Sequence, residues 1–198
     1  LTRSVELLFR PRMAELLSNT MLLMVCVTIG AISLGTLCAF LLERCRFFGK
    51  AFFEVAMSLP LCIPAFVSCF TWISLTFRVE GFWGTIGIMT LSYFPLAYLP
   101  VAATLKRLDR SLEEVSLSLG KSPTYTFWHA IFPQLKPAIG SSILLIALHM
   151  LVEFGAVSIL NYQSFTTAIF QEYEMSFNNS SAALLSAVLM AICTIIVF

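Results

Sequence analysis

Charged residues are scarce in this chain. Asp, Glu, Lys and Arg make up 12% of its 198 residues, about half of the roughly 25% that is typical of soluble domains. Hydrophobic residues make up 59%, against roughly 45–50% in soluble domains. The formal net charge is +1, so the charge balance gives no reason to expect a nucleic-acid partner. The composition excludes an ordinary soluble domain and indicates an integral membrane protein.

The chain also lacks the motifs of catalysis and metal binding. No segment fits GxxxxGK followed by Ser or Thr, the loop that cradles nucleotide phosphates. None of the six cysteines forms a CxxC pair, and the two histidines, His129 and His149, are isolated, which is poor evidence for a metal site. We therefore expect no catalytic residue, no metal site and no cofactor, and we assign any nucleotide hydrolysis to a separate subunit.

Long apolar runs dominate what is present. The first three, Leu16–Leu42, Val55–Phe77 and Gly81–Leu105, carry no charge, and each exceeds the roughly 20 residues needed to span a bilayer. Backbone groups in lipid must be satisfied within the segment, so each run predicts a helix. The sequence thus predicts an all-α membrane protein with about five transmembrane helices, the last cut off by the chain end in a segment of a longer protein. Their expected ranges are 16–42, 55–77, 81–105, 137–160 and 179–198.

Basic residues concentrate in two linkers, 43–54 and 106–136. By the positive-inside rule both linkers are expected on the cytoplasmic side. The two linkers follow the first and third helices, so these predictions agree with each other. Residues 1–15 then form a flanking amphipathic segment on the opposite side, in spite of the basic residues that it carries.

Prolines and one carboxylate interrupt the apolar runs. Pro60 and Pro64 lie in the second run and are expected to kink its helix, either for packing alone or to line a pathway. Glu153 lies within the fourth run, where a carboxylate is costly unless it faces a cavity or a polar neighbour. It either bonds to a neighbouring helix near the outer interface or lies on a translocation path. Our hypothesis places Glu153, Gly155, Pro60 and Pro64 on such a path or its gate.

The linker 106–136 contains signals for two short helices. Ser111 and Glu114 fit a capping box that begins the first helix, and Gly120 is placed to end it. Ser122, followed by proline, predicts the start of a second helix, which we expect Pro133 to end. Such a hinged pair either rests on the membrane surface or docks with a cytoplasmic partner.

The same linker resembles a signature of permeases of ABC importers. It reads Glu114-Val115-Ser116, three residues, Gly120, nine residues and then Ala130-Ile131-Phe132-Pro133. This is similar to the family's EAA motif, Glu-Ala-Ala, three residues, Gly, nine residues, Ile-x-Leu-Pro. Glu, Gly and Pro are in register, whereas Val115, Ser116, Ala130 and Phe132 depart from the pattern but remain small or apolar. The resemblance implies a type I ABC importer transmembrane domain over residues 16–198 whose coupling helix contacts an ATP-binding subunit. The residues that it implies for this contact are Glu114, Ser116, Leu119, Gly120 and Pro133.

Two further segments, 148–158 and 164–169, resemble bacterial ferric iron permeases. The resemblance implies a non-catalytic permease in the bacterial inner membrane that moves ferric iron by alternating access. The implied partners are an ATP-binding subunit, a periplasmic substrate-binding protein, a second permease module, fused or separate, and the lipid bilayer. Permeases for thiamine, sulfate, molybdate or polyamines remain alternatives. An ion-coupled secondary transporter would be expected to show more intramembrane ionisable residues or unwound segments, and a membrane scaffold would not need the motif.

Overall fold

All regular secondary structure in the described residues is helical. The computed structural model describes residues 11–45, 48–76, 79–174 and 179–197, so the first ten residues of the predicted segment 1–15 and the predicted helix ends at Phe77 and Phe198 lie outside these ranges. A 3₁₀ helix (Leu59–Cys62) follows α2, and a π-helix (Phe127–Ile131) follows α7. In chain order the α-helices are α1 (Pro11–Arg44), α2 (Lys50–Ala56), α3 (Ala65–Leu75), α4 (Phe82–Tyr93), α5 (Pro95–Arg107), α6 (Ser111–Ser118), α7 (Pro123–Thr126), α8 (Phe132–Val152), α9 (Gly155–Ile159), α10 (Phe165–Glu174) and α11 (Asn179–Val197).

The first helix is longer than predicted. It has 34 residues, which corresponds to about 50 Å at 1.5 Å per residue. It packs along α5 and also contacts α4 and α8. At Gly35 the approach is so close that an added Cβ would lie 2.6 Å from the carbonyl oxygen of Phe94 and 2.8 Å from the Cβ of Ala97. A small residue at position 35 is what lets the two backbones meet.

The helix predicted from Val55 to Phe77 is broken rather than kinked. Its residues form part of α2, the 3₁₀ helix and α3, and the two halves meet at 94°. Proline disfavours helical geometry in the residue before it, and Ile63 accordingly adopts an extended conformation just ahead of Pro64. Pro60 lies at the start of the 3₁₀ helix. Two prolines in five residues thus end one helix and begin another at a right angle to it.

The third predicted helix is close to what the structure contains. Together α4 and α5 form one span, Phe82–Arg107. Pro100 lies inside α5, where its missing N–H leaves the carbonyl of Leu96 without its helical donor. The Ser142 hydroxyl of α8 lies 3.1 Å from that oxygen and 2.8 Å from the Ala138 carbonyl, so its one proton is shared between the two. The proline is therefore accommodated by a hydrogen bond from a neighbouring helix, which also ties α5 to α8.

The fourth span differs from its prediction at both ends. It begins at Pro123 and continues to Val152, so Pro133 does not end the second linker helix as expected. Pro133 instead lies in the first turn of α8, directly after the π-helix. A π-helix bonds to i+5, and this local change lets the chain pass a residue that cannot donate a helical bond. At the other end the helix stops at Val152, and the predicted continuation to residue 160 is the separate short helix α9.

Beyond the break the chain folds back on the bundle. The N–H of Gly81 donates to the carbonyl of Leu160 at 2.9 Å, which joins the start of α4 to the end of α9. Between the fourth and fifth predicted helices the chain contains α10, which packs against α11 and α1. By length and composition three described helices can cross a membrane, or four if the bent pair is one span, while residues 182–197 of α11 form a shorter apolar helix.

Candidate functional site

Residues 109–133 of the linker, called the cytoplasmic element after the side of the membrane predicted for them, begin with a cap on a different residue from the predicted one. Asp109 Oδ1 accepts a hydrogen bond from the Ser111 N–H at 2.9 Å. The Ser111 side chain makes no cap, and α6 starts after Arg110. Hydrogen bonding by Ser111, first through its backbone N–H, holds the pKa of Asp109 below its ordinary range. The predicted capping box of Ser111 and Glu114 is therefore wrong, and a carboxylate two residues earlier takes that role.

The glycine hinge of the cytoplasmic element is confirmed. Gly120 has a φ of +75°, a conformation that residues with a Cβ rarely adopt. Its N–H donates to Leu117 O at 2.9 Å, and the Lys121 N–H donates to Ser116 O at 3.2 Å, the pattern of a Schellman cap. Two residues later the Ser122 hydroxyl accepts from the Tyr125 N–H at 3.2 Å. The chain therefore turns sharply between two capped helices.

One face of α6 presents apolar side chains that nothing in the described chain covers. Leu112, Val115 and Leu119 are 52%, 57% and 73% exposed, and their i, i+3, i+7 spacing puts them on one face. Glu114 and Gly120 are also exposed. A contiguous exposed apolar face that is edged by a charge is typical of a surface that binds a partner.

Ser116 and Pro133 lie apart from this exposed face. Ser116 is half-buried, and its hydroxyl lies 2.7 Å from the hydroxyl of the buried Thr126. This contact fixes α6 on α7. Pro133 is exposed at the start of α8. Of the five residues predicted to couple, Glu114, Leu119 and Gly120 lie at the exposed surface of α6 and its hinge, while Ser116 holds the cytoplasmic element together from inside.

Charged side chains connect the cytoplasmic element to the ends of the long helices. Arg44 at the end of α1 forms an ion pair with Glu113 of α6, and Arg110 donates to the Glu43 carbonyl at 3.1 Å. Both basic linkers meet here, as expected if they lie on one side of the membrane. We call this set the charge network: Glu43, Arg44, Lys50, Glu54, Lys106, Arg110 and Glu113. Its basic members were recognised from the sequence, whereas the pairing with acidic residues of the same two linkers was not predicted.

Glu153 occupies the break between α8 and α9. Its Oε2 accepts from the Tyr93 hydroxyl at 2.6 Å, and its Oε1 accepts from the Ala156 N–H at 3.1 Å. Its carbonyl accepts from the Thr166 hydroxyl at 3.0 Å. The residue thus caps α9 and links it to two other helices, since Tyr93 ends α4 and Thr166 lies in the first turn of α10.

Gly155 lies where α9 meets α3. A Cβ at this position would lie 3.3 Å from the Cβ of Phe66, so a small residue permits the close approach. Pro64 caps the start of α3, and Pro60 lies in the 3₁₀ helix just before it. The structure therefore brings Glu153 and Gly155 close to the helix that begins at Pro64, while Pro60 lies on the other arm of the bend.

Two aromatic groups lie beside Glu153: Tyr93, which the sequence did not single out, and His149, which was interpreted as an isolated histidine. Tyr93 is buried, and its ring lies 5.8 Å from the ring of His149. His149 Nδ1 lies 3.0 Å from the carbonyl of Leu145. An open cleft of about 370 Å³ is lined by Leu148, His149, Val152 and Glu153. Among the described residues no three His, Cys, Asp or Glu side chains group as a metal site, and Tyr93 is not of those types.

Comparison with known proteins identifies relatives of two kinds. The Fe(3+)-transport system permease protein FbpB 2 of Haemophilus influenzae is 92% identical over all 198 residues of this chain, which spans 39% of that relative. The sulfate transport system permease protein CysT of Escherichia coli is 32% identical over 139 residues, 62% of this chain and 50% of the relative. The probable sulfate permease cysT of Chlorokybus atmophyticus is 29% identical over 185 residues, 83% of this chain and 64% of the relative.

A solved structure shows the same fold. A chain from the inward-facing MetNI methionine ABC transporter superposes with a TM-score of 0.77 at 15% identity, covering 95% of this chain and 94% of that one. The model of the family described as "binding-protein-dependent transport system inner membrane component" matches residues 31–198. The family match supports the predicted permease over the two alternatives, an ion-coupled transporter and a membrane scaffold. The all-α fold is thus that of a type I ABC importer transmembrane domain, and the chain belongs to the family of binding-protein-dependent transport system inner membrane components.

Proposed function

We propose that this chain is a membrane permease module of an ATP-driven importer of ferric iron. It lies in the bacterial inner membrane and works with an ATP-binding subunit, a periplasmic substrate-binding protein and a second permease module. It has no catalytic role, since ATP hydrolysis belongs to the ATP-binding subunit. The observation that carries the proposal is the exposed apolar face of α6, hinged at Gly120 and joined by the charge network to α1 and α5.

The geometry of the cytoplasmic element suits the transmission of force. Its outer face, with Leu112, Val115 and Leu119, is free to enter a groove on the ATP-binding subunit, as an amphipathic helix does. Its inner side is fixed by the Ser116–Thr126 contact and the Arg44–Glu113 ion pair. Motion of the docked subunit would therefore move α6 as a unit and pass directly to the end of α1.

The translocation path is proposed to run past the break at Glu153. Discontinuous helices near the centre of the membrane are typical of transporter binding sites, because their ends supply unpaired backbone groups. Glu153 and Gly155 lie at one such discontinuity, and Pro60 and Pro64 create another. Contact between α9 and α3 joins the two. Alternating access would then open and close the path where these short helices meet.

Ferric iron is favoured as the substrate by the 92% identity to the Haemophilus influenzae permease. Sulfate is the second candidate, because several more distant relatives carry that name. Uptake by proteoliposomes that contain the complete transporter separates the two. ATP-dependent accumulation of labelled ferric iron, unaffected by excess sulfate, is expected, whereas accumulation of sulfate instead would replace iron in the proposal.

The coupling assignment is tested at the hinge. Gly120→Ala adds a Cβ in open space but at a φ of +75°, which costs about 1–2 kcal/mol for a residue with a side chain. We expect Gly120→Ala to weaken co-purification of the ATP-binding subunit several-fold and to lower uptake with it. Glu114→Lys, which reverses an exposed charge beside the apolar face, should act in the same direction.

Gly140→Ala is the matched control. Gly140 also has open space around its added Cβ, but it lies within α8 with ordinary helical geometry. This variant should bind the ATP-binding subunit and transport like the wild type. Undiminished association in both Gly120→Ala and Glu114→Lys would contradict the docking of α6.

A further inference from the structure

We propose that Tyr93, Glu153 and His149 form a transient binding site for the ferric ion within the membrane, a site that rests on the proposed function. The phenol of Tyr93 and the carboxylate of Glu153 are already held together, with Tyr93 Oη 2.6 Å from Glu153 Oε2. The His149 ring lies 5.8 Å from the Tyr93 ring. The three residues come from α4, the break and α8, so the site forms only in the folded bundle.

The donor set suits a small, highly charged cation. Ferric iron is a hard Lewis acid that prefers anionic oxygen, and phenolate and carboxylate are the two hardest donors that side chains provide. Imidazole is also a common ligand of iron. When His149 Nδ1 carries the proton and donates to the Leu145 carbonyl at 3.0 Å, Nε2 is left with a free lone pair. All three residues therefore carry an atom that can bind ferric iron, and the Tyr93 phenol becomes an anionic donor when it loses its proton.

Tyr93 lies near the middle of its helical span, while Glu153 directly follows the Pro123–Val152 span and lines a cleft. Tyr93 is 11 residues from the start of the Phe82–Arg107 span and 14 from its end, or about 16 and 21 Å at 1.5 Å per residue. The cleft of about 370 Å³ is lined by His149 and Glu153 with Leu148 and Val152. A cation could therefore reach the carboxylate and the imidazole from the cleft without unfolding any helix.

A site of three protein donors is weak enough for transport. A path must bind its ion well enough to admit it and loosely enough to release it. With three donors the remaining positions of the ion stay with water. Binding replaces the Tyr93 O–H bond by an iron–oxygen bond and releases one proton to solvent, and the iron stays ferric throughout. Release to the cytoplasmic side returns a proton to the phenolate, so the cycle balances.

The test uses the complete transporter purified in nanodiscs without the substrate-binding protein, with ferric nitrilotriacetate as the probe. A phenolate bound to ferric iron gives a visible charge-transfer absorption band. We expect this band in the wild type, its loss in Tyr93→Phe and its weakening in Glu153→Gln and His149→Ala. Tyr162→Phe is the matched control, because it also removes a hydroxyl that donates a hydrogen bond, here to Asn19 O at 3.1 Å, and it should keep the band.

Transport by the same variants gives the second readout. Ferric iron uptake should fall about 10-fold or more in Tyr93→Phe and Glu153→Gln, the scale seen when groups that support a metal site are removed. Co-purification of the ATP-binding subunit and the elution of the complex in size-exclusion chromatography should match those of the wild type, which shows that the complex is assembled. No band in the wild type, a band retained in Tyr93→Phe, or unchanged uptake in Tyr93→Phe overturns the site while leaving the permease function intact. A wild type that hydrolyses ATP but takes up no ferric iron overturns both.

Discussion

The cytoplasmic element and the centre of the membrane bundle are held by contacts of different range. In the element, the Ser116–Thr126 contact and the Gly120 and Ser122 caps join residues that are at most ten positions apart. In the bundle, Tyr93 bonds to Glu153 across 60 positions, and Gly35 meets Phe94 across 59. The first region is therefore specified by local sequence, whereas the second depends on how distant helices come together. Substitutions in the bundle should disturb the whole fold, and those in the element only its own geometry.

The largest effect on stability is expected at Gly35. A Cβ there would meet backbone atoms of Phe94 and Tyr98 at 2.6 and 2.8 Å, and backbone cannot move aside as a side-chain end can. Gly35→Ala should therefore lower the free energy of unfolding by about 1–3 kcal/mol, the usual range for overpacking. Thermal unfolding in detergent, followed by helical circular dichroism, measures the change.

Gly87→Ala is the control for this substitution. Gly87 lies in α4, and its added Cβ would meet nothing within 4 Å. It should leave stability unchanged or raise it by about 0.5–1 kcal/mol, because alanine favours helix over glycine. Equal midpoints for the Gly35 and Gly87 variants would mean that close packing of α1 on α5 does not limit stability.

A smaller effect is expected where the two regions are joined. Arg44 and Glu113 form an ion pair with side chains 11% and 20% exposed, so it is worth more than a fully exposed pair. A double-mutant cycle with Arg44→Met and Glu113→Gln should give a coupling energy of about 1 kcal/mol. Either single variant should also reduce the stimulation of ATP hydrolysis by the substrate-binding protein.

The exchanged pair, Arg44→Glu with Glu113→Arg, should recover part of that stimulation. Recovery would identify the ion pair as the link between α6 and α1. If single variants and the exchanged pair all behaved like the wild type, the two regions would have to be connected by other contacts, such as Arg110 with the Glu43 carbonyl.

The smallest effect is expected at the start of α6. Asp109→Ala should speed hydrogen exchange of the first α6 amides at pH 7, while Ser111→Ala should not, because the Asp109 carboxylate accepts the Ser111 N–H. The pKa of Asp109 is lowered by this contact. Its contribution to stability is therefore present above the ordinary aspartate pKa of about 4 and is lost as the pH falls through the lowered value. The difference in exchange rate between Asp109→Ala and the wild type should accordingly vanish in acid. Faster exchange of these amides in Ser111→Ala would instead support the predicted capping box of Ser111 and Glu114.

Some features were predictable because one local cause decides them. Gly120 and Ser122 were placed correctly, since a positive φ and a side-chain cap depend on a few adjacent residues. The apolar runs likewise required helices. The effect of each proline on its helix could not be predicted in this way. Pro133 does not end its helix, because a π-helix precedes it, and Pro64 takes part in a bend of 94°.

The candidate site shows the same division. Glu153 and Gly155 were predicted as path residues because they lie in an apolar run. Their contact partners, Tyr93 and Phe66, could not be predicted because they come from other helices. No spacing in the sequence relates position 93 to position 153. The basic residues of the charge network could be recognised from the sequence, because they concentrate in two linkers. Their pairing with acidic residues could not, because the partners meet only when the helix ends pack together.

The sequence by itself determined that this is a helical membrane protein with a glycine-hinged helix in the linker 106–136, because bilayer thickness, backbone hydrogen bonding and glycine geometry act on contiguous residues. Only the tertiary structure decided where the long helices break and which side chains meet at the break. Those outcomes depend on donors and acceptors from distant segments, such as Ser142 for the carbonyl that Pro100 leaves free and Tyr93 for the carboxylate of Glu153. A polar group in the membrane must find a partner, but only the packing of the helices determines which partner it finds.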